Sequence, residues 1–199
     1  RDGDLEFDVI VLATGFDALD MEAAARVFVR RGFHAASMRE VAAEAGLSVA
    51  GVYPHFDSKQ QILVAILDVT MAEIRWRLFA ARDEGTTPVE SFALMVESLA
   101  LFHAVRGDLA FIGASEMRAI EEPERTRVVG LRDEVQHALD AQAERCIASG
   151  DFTVSDPRTA CRAIATMCTS LPSWFRLSGP LTPQEVARSY AKYAVAIMR

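Results

Sequence analysis

The 199-residue chain predicts an all-α fold, with a small head of short helices near the N-terminus and a larger body of longer ones. Three observations predict it. From Asp20 onward apolar residues recur at helical rather than alternating spacing, Ser-x-x-Glu and single-serine caps precede the apolar runs, and glycine or proline closes segments of helical length. A composition that is 51% hydrophobic and 25% charged, with 11 glycines and 7 prolines, describes a globular chain with enough residues for a substantial core. The expected divisions are an N-terminal extension over 1–19, a head over 20–66 and a body over 67–199.

Residues 7–12 are β-branched and apolar and predict one short strand, broken by Ala13-Thr14-Gly15. The first helix carries Ala24, Val27 and Phe28 and stops at Gly32, with Phe33 just beyond. Ser37 caps the second helix and Glu40 completes a capping box, with Met38, Val41, Ala42 and Ala45 on the apolar face and Gly46 as the stop. Ser48 caps a third helix from Val49 to about Phe56, which Pro54 should keep short. Asp57-Ser58-Lys59 opens a fourth, marked by Ile62, Leu63, Ile66 and Leu67. Punctuation then separates helical segments at about 60–83, 88–106, 108–120, 123–149, 157–177 and 183–198.

The net charge of −7 is unevenly spread. Residues 1–25 hold one basic and seven acidic groups, residues 26–59 five basic and three acidic, and residues 60–199 fifteen basic and eighteen acidic. A mildly basic segment inside an acidic chain permits contact with a polyanion. Cys146, Cys161 and Cys168 lack Cys-x-x-Cys spacing and neighbouring histidines, so buried thiols are expected, with no metal, disulfide framework or cofactor. No signal peptide and no uninterrupted apolar run of membrane-spanning length are read, which predicts a cytoplasmic protein without a membrane partner.

The second and third helices meet the demands of a helix-turn-helix. Ala42 and Ala43 allow close helix approach, Gly46 makes the turn, and Leu47 and Val52 can anchor the third helix. Val49, Ala50 and Gly51 leave the early surface of that helix short and apolar, suited to thymine methyl groups and close backbone approach. Ser37, Arg39, Ser48, Tyr53, His55 and Lys59 supply the hydroxyl, phenol, imidazole and cationic groups that bind phosphates. Taken singly, each is equally a solvated side chain or a cap.

The runs Arg26-Val-Phe-Val-Arg-Arg-Gly-Phe33 and Met38-Arg-Glu-Val-Ala-Ala-Glu-Ala-Gly-Leu-Ser-Val-Ala-Gly-Val-Tyr-Pro-His-Phe-Asp-Ser-Lys59 resemble the head of the TetR family of one-component regulators. That resemblance covers about residues 21–66. It implies a homodimer that reads a pseudo-palindromic double-stranded DNA operator and a divergent body that binds a small effector. It also implies Tyr53 and Lys59 on phosphates, with Val49, Ala50, Gly51 and Pro54 where bases are read. A phosphate role for Lys59 predicts that its loss lowers the salt dependence of binding.

Weaker similarity reaches the C-terminus, where Cys168–Arg176 and Gly179–Val186 resemble the family's last two helices and their connector. It implies a dimer interface of Ile164, Met167, Leu171, Phe175, Val186, Tyr190, Tyr193 and Ile197, although the same stripes would serve an intramolecular core. Phe79, Met95, Leu99, Phe102, His103, Phe111, Glu116 and Trp174 have the mostly apolar character of an effector pocket for a small hydrophobic ligand, or of plain core.

The run Asp8-Val-Ile-Val-Leu-Ala-Thr-Gly-Phe-Asp17 is similar to the Ala-Thr-Gly strand of flavin-dependent Baeyer–Villiger monooxygenases. Such enzymes need Gly-rich βαβ folds for their dinucleotides, and no Gly-x-Gly-x-x-Gly occurs in the chain. The expectation is a regulator, not an enzyme, with Met21 as a natural start. The competing readings are a monooxygenase fragment or fusion and a helical dimer that does not bind DNA.

Overall fold

A computed structural model describes residues 18–199, with side chains from Met21 onward. The predicted strand at 7–12 lies outside the described residues. Ten α-helices follow: α1 (Ala18–Arg31), α2 (Met38–Glu44), α3 (Val49–Val52), α4 (Lys59–Glu84), α5 (Pro88–Val105), α6 (Gly107–Ser115), α7 (Glu124–Ala148), α8 (Pro157–Thr169), α9 (Leu171–Trp174) and α10 (Pro183–Met198), with a 3₁₀ turn at Met117–Ala119.

The chain forms two compact units. One contains the described residues up to Glu73 together with Phe111–Val128, and the other contains Ile74–Ala110 and Val129–Arg199. The first unit takes in a distant segment, from α6 to the start of α7. Sequence spacing carries no sign of that segment, because Phe111–Val128 joins the head by tertiary packing.

In the N-terminal unit, α1 ends at Gly32, whose φ is +78°, and its amide donates to Phe28 O at 2.8 Å. The α2 stop at Gly46 is a paired turn: Gly46 N donates to Ala43 O and Leu47 N donates to Ala42 O, while Gly46 has φ +69°. Val27, Phe28, Phe33, Val41, Ala42, Val52, Phe56, Ile62, Leu63 and Ile66 are buried. Phe28 and Phe33 meet edge to face at 5.3 Å.

In the second unit α5 is central, packed by α8, α9 and α10. Thr87 caps it, with Pro88 in the first turn and Glu90 accepting from Thr86 N. Gly85 is required before it, because a Cβ there would lie 2.4 Å from Ser91 Oγ and 2.5 Å from its amide. Phe92, Met95, Val96, Phe102 and the facing Ala187, Ala194 and Met198 of α10 are fully buried. Small residues on α10 allow close approach of the two helices. By length and composition α5 is apolar enough to cross a membrane, with a mean hydropathy of 1.3, and half of it is buried inside the fold. Core burial accounts for that apolarity.

The segment predicted as one helix over 157–177 divides into α8 and α9. Pro172 has no amide to offer the carbonyl of Cys168, and its ring crowds the same carbonyl.

Candidate nucleic-acid interface

The helix-turn-helix is built from local rules. Ser37 Oγ accepts from Glu40 N, while Glu40 Oε2 accepts from both the amide (2.9 Å) and the hydroxyl (2.9 Å) of Ser37. These bonds lead the causes that hold the Glu40 carboxyl below its ordinary range, with the charge of Arg31 adding to them. Ser48 Oγ accepts from Gly51 N at 3.1 Å. Helix α3 has only four residues, and the amides of His55 and Phe56 then turn back onto Val52 O. Pro54 has no amide to continue the ladder, so the predicted end near Phe56 shortens to Val52.

Around this motif Arg39, Ala50, Tyr53, Pro54 and His55 are exposed, and Val49 and Gly51 are half-buried. These seven predicted residues share the head's outer surface with the exposed Ser37 and Ser48. The two serines differ in what remains to them. Ser37 directs its hydroxyl proton to Glu40, whereas Ser48 uses only a lone pair and retains a donor.

Ion pairing inside the head decides which cations face outward. Glu44 of α2 accepts from Arg30 at 2.6 Å and 3.2 Å and from Arg26 at 3.0 Å, both on α1. Those bonds, Arg30's first, lower the Glu44 carboxyl to about 2. Arg31 pairs with Glu40 at 3.2 Å. Lys59 differs from expectation. Its ammonium donates to Phe33 O at 2.8 Å, His34 O at 2.7 Å and Ala36 O at 2.9 Å, and it lies 4.9 Å from the centre of the Phe33 ring. In the free chain all three of its N–H donors are engaged. Spacing alone could not show this, because the three carbonyls lie 23 to 26 residues away. Among the described residues, Arg39 is the one head cation of the five in 26–59 with no such engagement.

Residues 21–66 match the family described as bacterial regulatory proteins, tetR family, and residues 85–198 match the tetracyclin repressor-like C-terminal domain. This chain belongs to the TetR family. It is a DNA-binding transcriptional regulator. The TetR chain is 25% identical over 174 residues to the HTH-type transcriptional repressor KstR2 of Mycolicibacterium smegmatis, spanning 85% of this chain and 84% of that protein. It is also 25% identical over 134 residues to the fatty acid metabolism regulator protein of Bacillus subtilis, 66% of this chain and 68% of that one. Among solved structures, the TetR family regulator PfmR from Thermus thermophilus superposes with a TM-score of 0.82 at 28% identity, over 90% of this chain and 98% of that chain.

The residues expected for a TetR effector pocket fall in both units. Phe111 and Glu116 belong to the N-terminal unit and the other six to the second. Met95, Leu99 and Phe102 are core, Phe79 is half-exposed beneath the Arg82 guanidinium at 4.9 Å, and Trp174 is 49% exposed. His103 is buried, with Nδ1 2.8 Å from Leu99 O. Burial lowers it to about 4, with the charge of Arg132 adding to the effect, so it is neutral at physiological pH. Hydrogen bonding to a carbonyl places the proton on Nδ1 and leaves Nε2 as an acceptor.

The expected TetR dimer residues also separate by burial. Ile164, Leu171 and Val186 are fully or almost fully buried within one chain, and Phe175 and Tyr190 are nearly so, so they cannot meet a partner broadly. Met167 is half-exposed, whereas Tyr193 and Ile197 are exposed together with Trp174, Leu177 and Leu181.

Proposed function

We propose that the chain works as a homodimeric repressor, with two heads bound to a pseudo-palindromic operator and a small hydrophobic effector that releases them. The observation that carries the DNA-facing assignment is the outward surface of Arg39, Ser48, Tyr53 and His55 around an α3 whose Ala50 and Gly51 present almost no side chain. Small residues let the helix backbone approach base edges, and the flanking donors hold phosphates. The exposed apolar group Trp174, Leu177, Leu181, Tyr193 and Ile197 supports self-association through α9, α10 and their connector, since exposed apolar patches mark protein contacts. The repressor named among the relatives supports repression. The fatty acid metabolism regulator supports a lipid-like effector. The likeness of residues 8–17 to a monooxygenase strand supports a target gene concerned with oxidation of a ketone or related apolar compound.

A mobility-shift titration with DNA from upstream of its own gene, beside light scattering, tests this reading. The expected result is a dimer that shifts the fragment at low salt and releases it with a fatty acyl compound. A dimer with no shift would overturn the operator reading, and a yellow protein that oxidises NADPH would replace it with the enzyme.

A further inference from the structure

Burial fixes which side of α3 faces outward. Val52 is fully buried and anchors the helix in the head. Successive residues of a helix turn by about 100°, so Ala50 stands about 160° from Val52 around the axis. Tyr53 keeps helical dihedrals, with φ −59° and ψ −29°, so Pro54 continues the rotation to about 200°. Both Ala50 and Pro54 are exposed, whereas Val49 and Gly51 stand to the sides and are half-buried. The outermost ridge of α3 is therefore a methyl group and a pyrrolidine ring. Neither side chain carries a hydrogen-bonding group, and Pro54 lacks an amide proton as well. Ser48, Tyr53 and His55 are exposed beside that ridge.

We propose that α3 reads its operator through thymine 5-methyl groups, with Ala50 and Pro54 packed on the methyls of A·T pairs in the major groove. The proposal deepens, and depends on, the operator-binding reading of the head. Among the groups that base pairs display in the major groove, the thymine methyl is the apolar one. A guanine or cytosine edge beneath Ala50 would lose its water without gaining a partner. Leaving such a donor or acceptor unmet costs more than a methyl contact gains. The ridge thus selects thymine, and disfavours G·C pairs, at the positions it covers.

The test uses the full-length protein and the fragment upstream of its own gene that it protects from nuclease. Each thymine of that fragment is replaced singly by deoxyuridine, which removes the 5-methyl and keeps the base pair. In each half-site at least one replacement should weaken wild-type binding about fourfold, the effect of one buried methyl group. A scrambled duplex should bind equally with either base. At the same thymine the replacement should cost Ala50→Gly roughly twofold or less, because the methyl group it would touch is gone. Wild-type affinity unchanged by uracil at every thymine would overturn the inference. The operator reading would survive that result, since the fragment would still be preferred over the scrambled duplex. A uracil penalty that persists in full in Ala50→Gly would also overturn it, as would an equal loss on the scrambled duplex, which marks an effect on DNA stiffness. Melting followed in parallel checks that Ala50→Gly is folded, and the uracil series on the wild type needs no variant. A wild type that shifts no DNA removes the operator reading itself, and this inference with it.

Discussion

Asp68 on α4 and Arg127 on α7 form a two-pronged ion pair, with contacts of 2.6 and 2.9 Å between residues 59 positions apart in the chain. Glu124 adds a third contact to the same guanidinium at 2.6 Å. Both partners are about two-fifths exposed, so water and salt screen the pair. A double-mutant cycle on Asp68→Asn and Arg127→Met is expected to give a coupling of about 0.5–1 kcal/mol in denaturant unfolding, shrinking as salt is added. A coupling near zero at low salt would show that this pair does not help hold residues 124–128 within the N-terminal unit.

Stability is expected to fall with acid in two separate windows. His103 is lowered from 6.5 to about 4, so between these values the unfolded chain binds a proton that the folded chain does not. Its contribution is full above pH 6.5 and is lost as pH falls through about 4. Glu44 is lowered from 4.5 to about 2, so its contribution is full above 4.5 and is lost on the way down to about 2. Melting temperatures of His103→Asn and Glu44→Gln across about pH 2–8 check this. The first variant should flatten the upper window only, and the second the lower window only.

Gly51 separates the needs of the fold from those of the ligand. A Cβ there would meet Ser48 Oγ at 3.4 Å and Leu47 Cβ at 4.0 Å, both ordinary contacts. Gly51→Ala should therefore stabilise the free protein, by up to about 0.5–1 kcal/mol from helix propensity. If this residue faces DNA at close range, the same methyl group weakens operator binding. Chemical denaturation and operator titration on one sample would show the opposing changes, and unchanged affinity would place Gly51 away from the bases.

Burial divides the C-terminal apolar residues into two experimental classes. Leu171 is fully buried, so Leu171→Ala should cost about 2–5 kcal/mol of stability without altering the mass in solution. Tyr193 is 58% exposed, so Tyr193→Asp should leave the single chain nearly as stable but shift the mass from dimer to monomer. Light scattering reads the difference. A Tyr193→Asp dimer as tight as the wild type would move the interface elsewhere.

The parts of the molecule written in short-range chemistry were legible in the sequence. Ser37 with Glu40, Gly46, Ser48 and the proline at 54 set the boundaries of α2 and α3 through contacts a few residues apart, and the structure shows those bonds. What escaped depends on groups brought together by folding. Lys59 has the identity and position of a phosphate ligand, yet its neighbours are carbonyls from another connector. Leu171 and Tyr193 both fit an apolar helical stripe, and only the packing of α9 and α10 against α5 decides which one faces solvent. The attachment of Phe111–Val128 to the head unit has no periodicity to announce it.

Four of the five cationic side chains between residues 26 and 59 are bound to partners within their own chain, in a protein of net charge −7. Such a molecule attracts DNA weakly from a distance. Its encounters with an operator should run near the unsteered rate of about 10⁵–10⁶ M⁻¹s⁻¹, so tight occupancy must come from slow departure. An effector would then act chiefly by shortening the time each dimer stays.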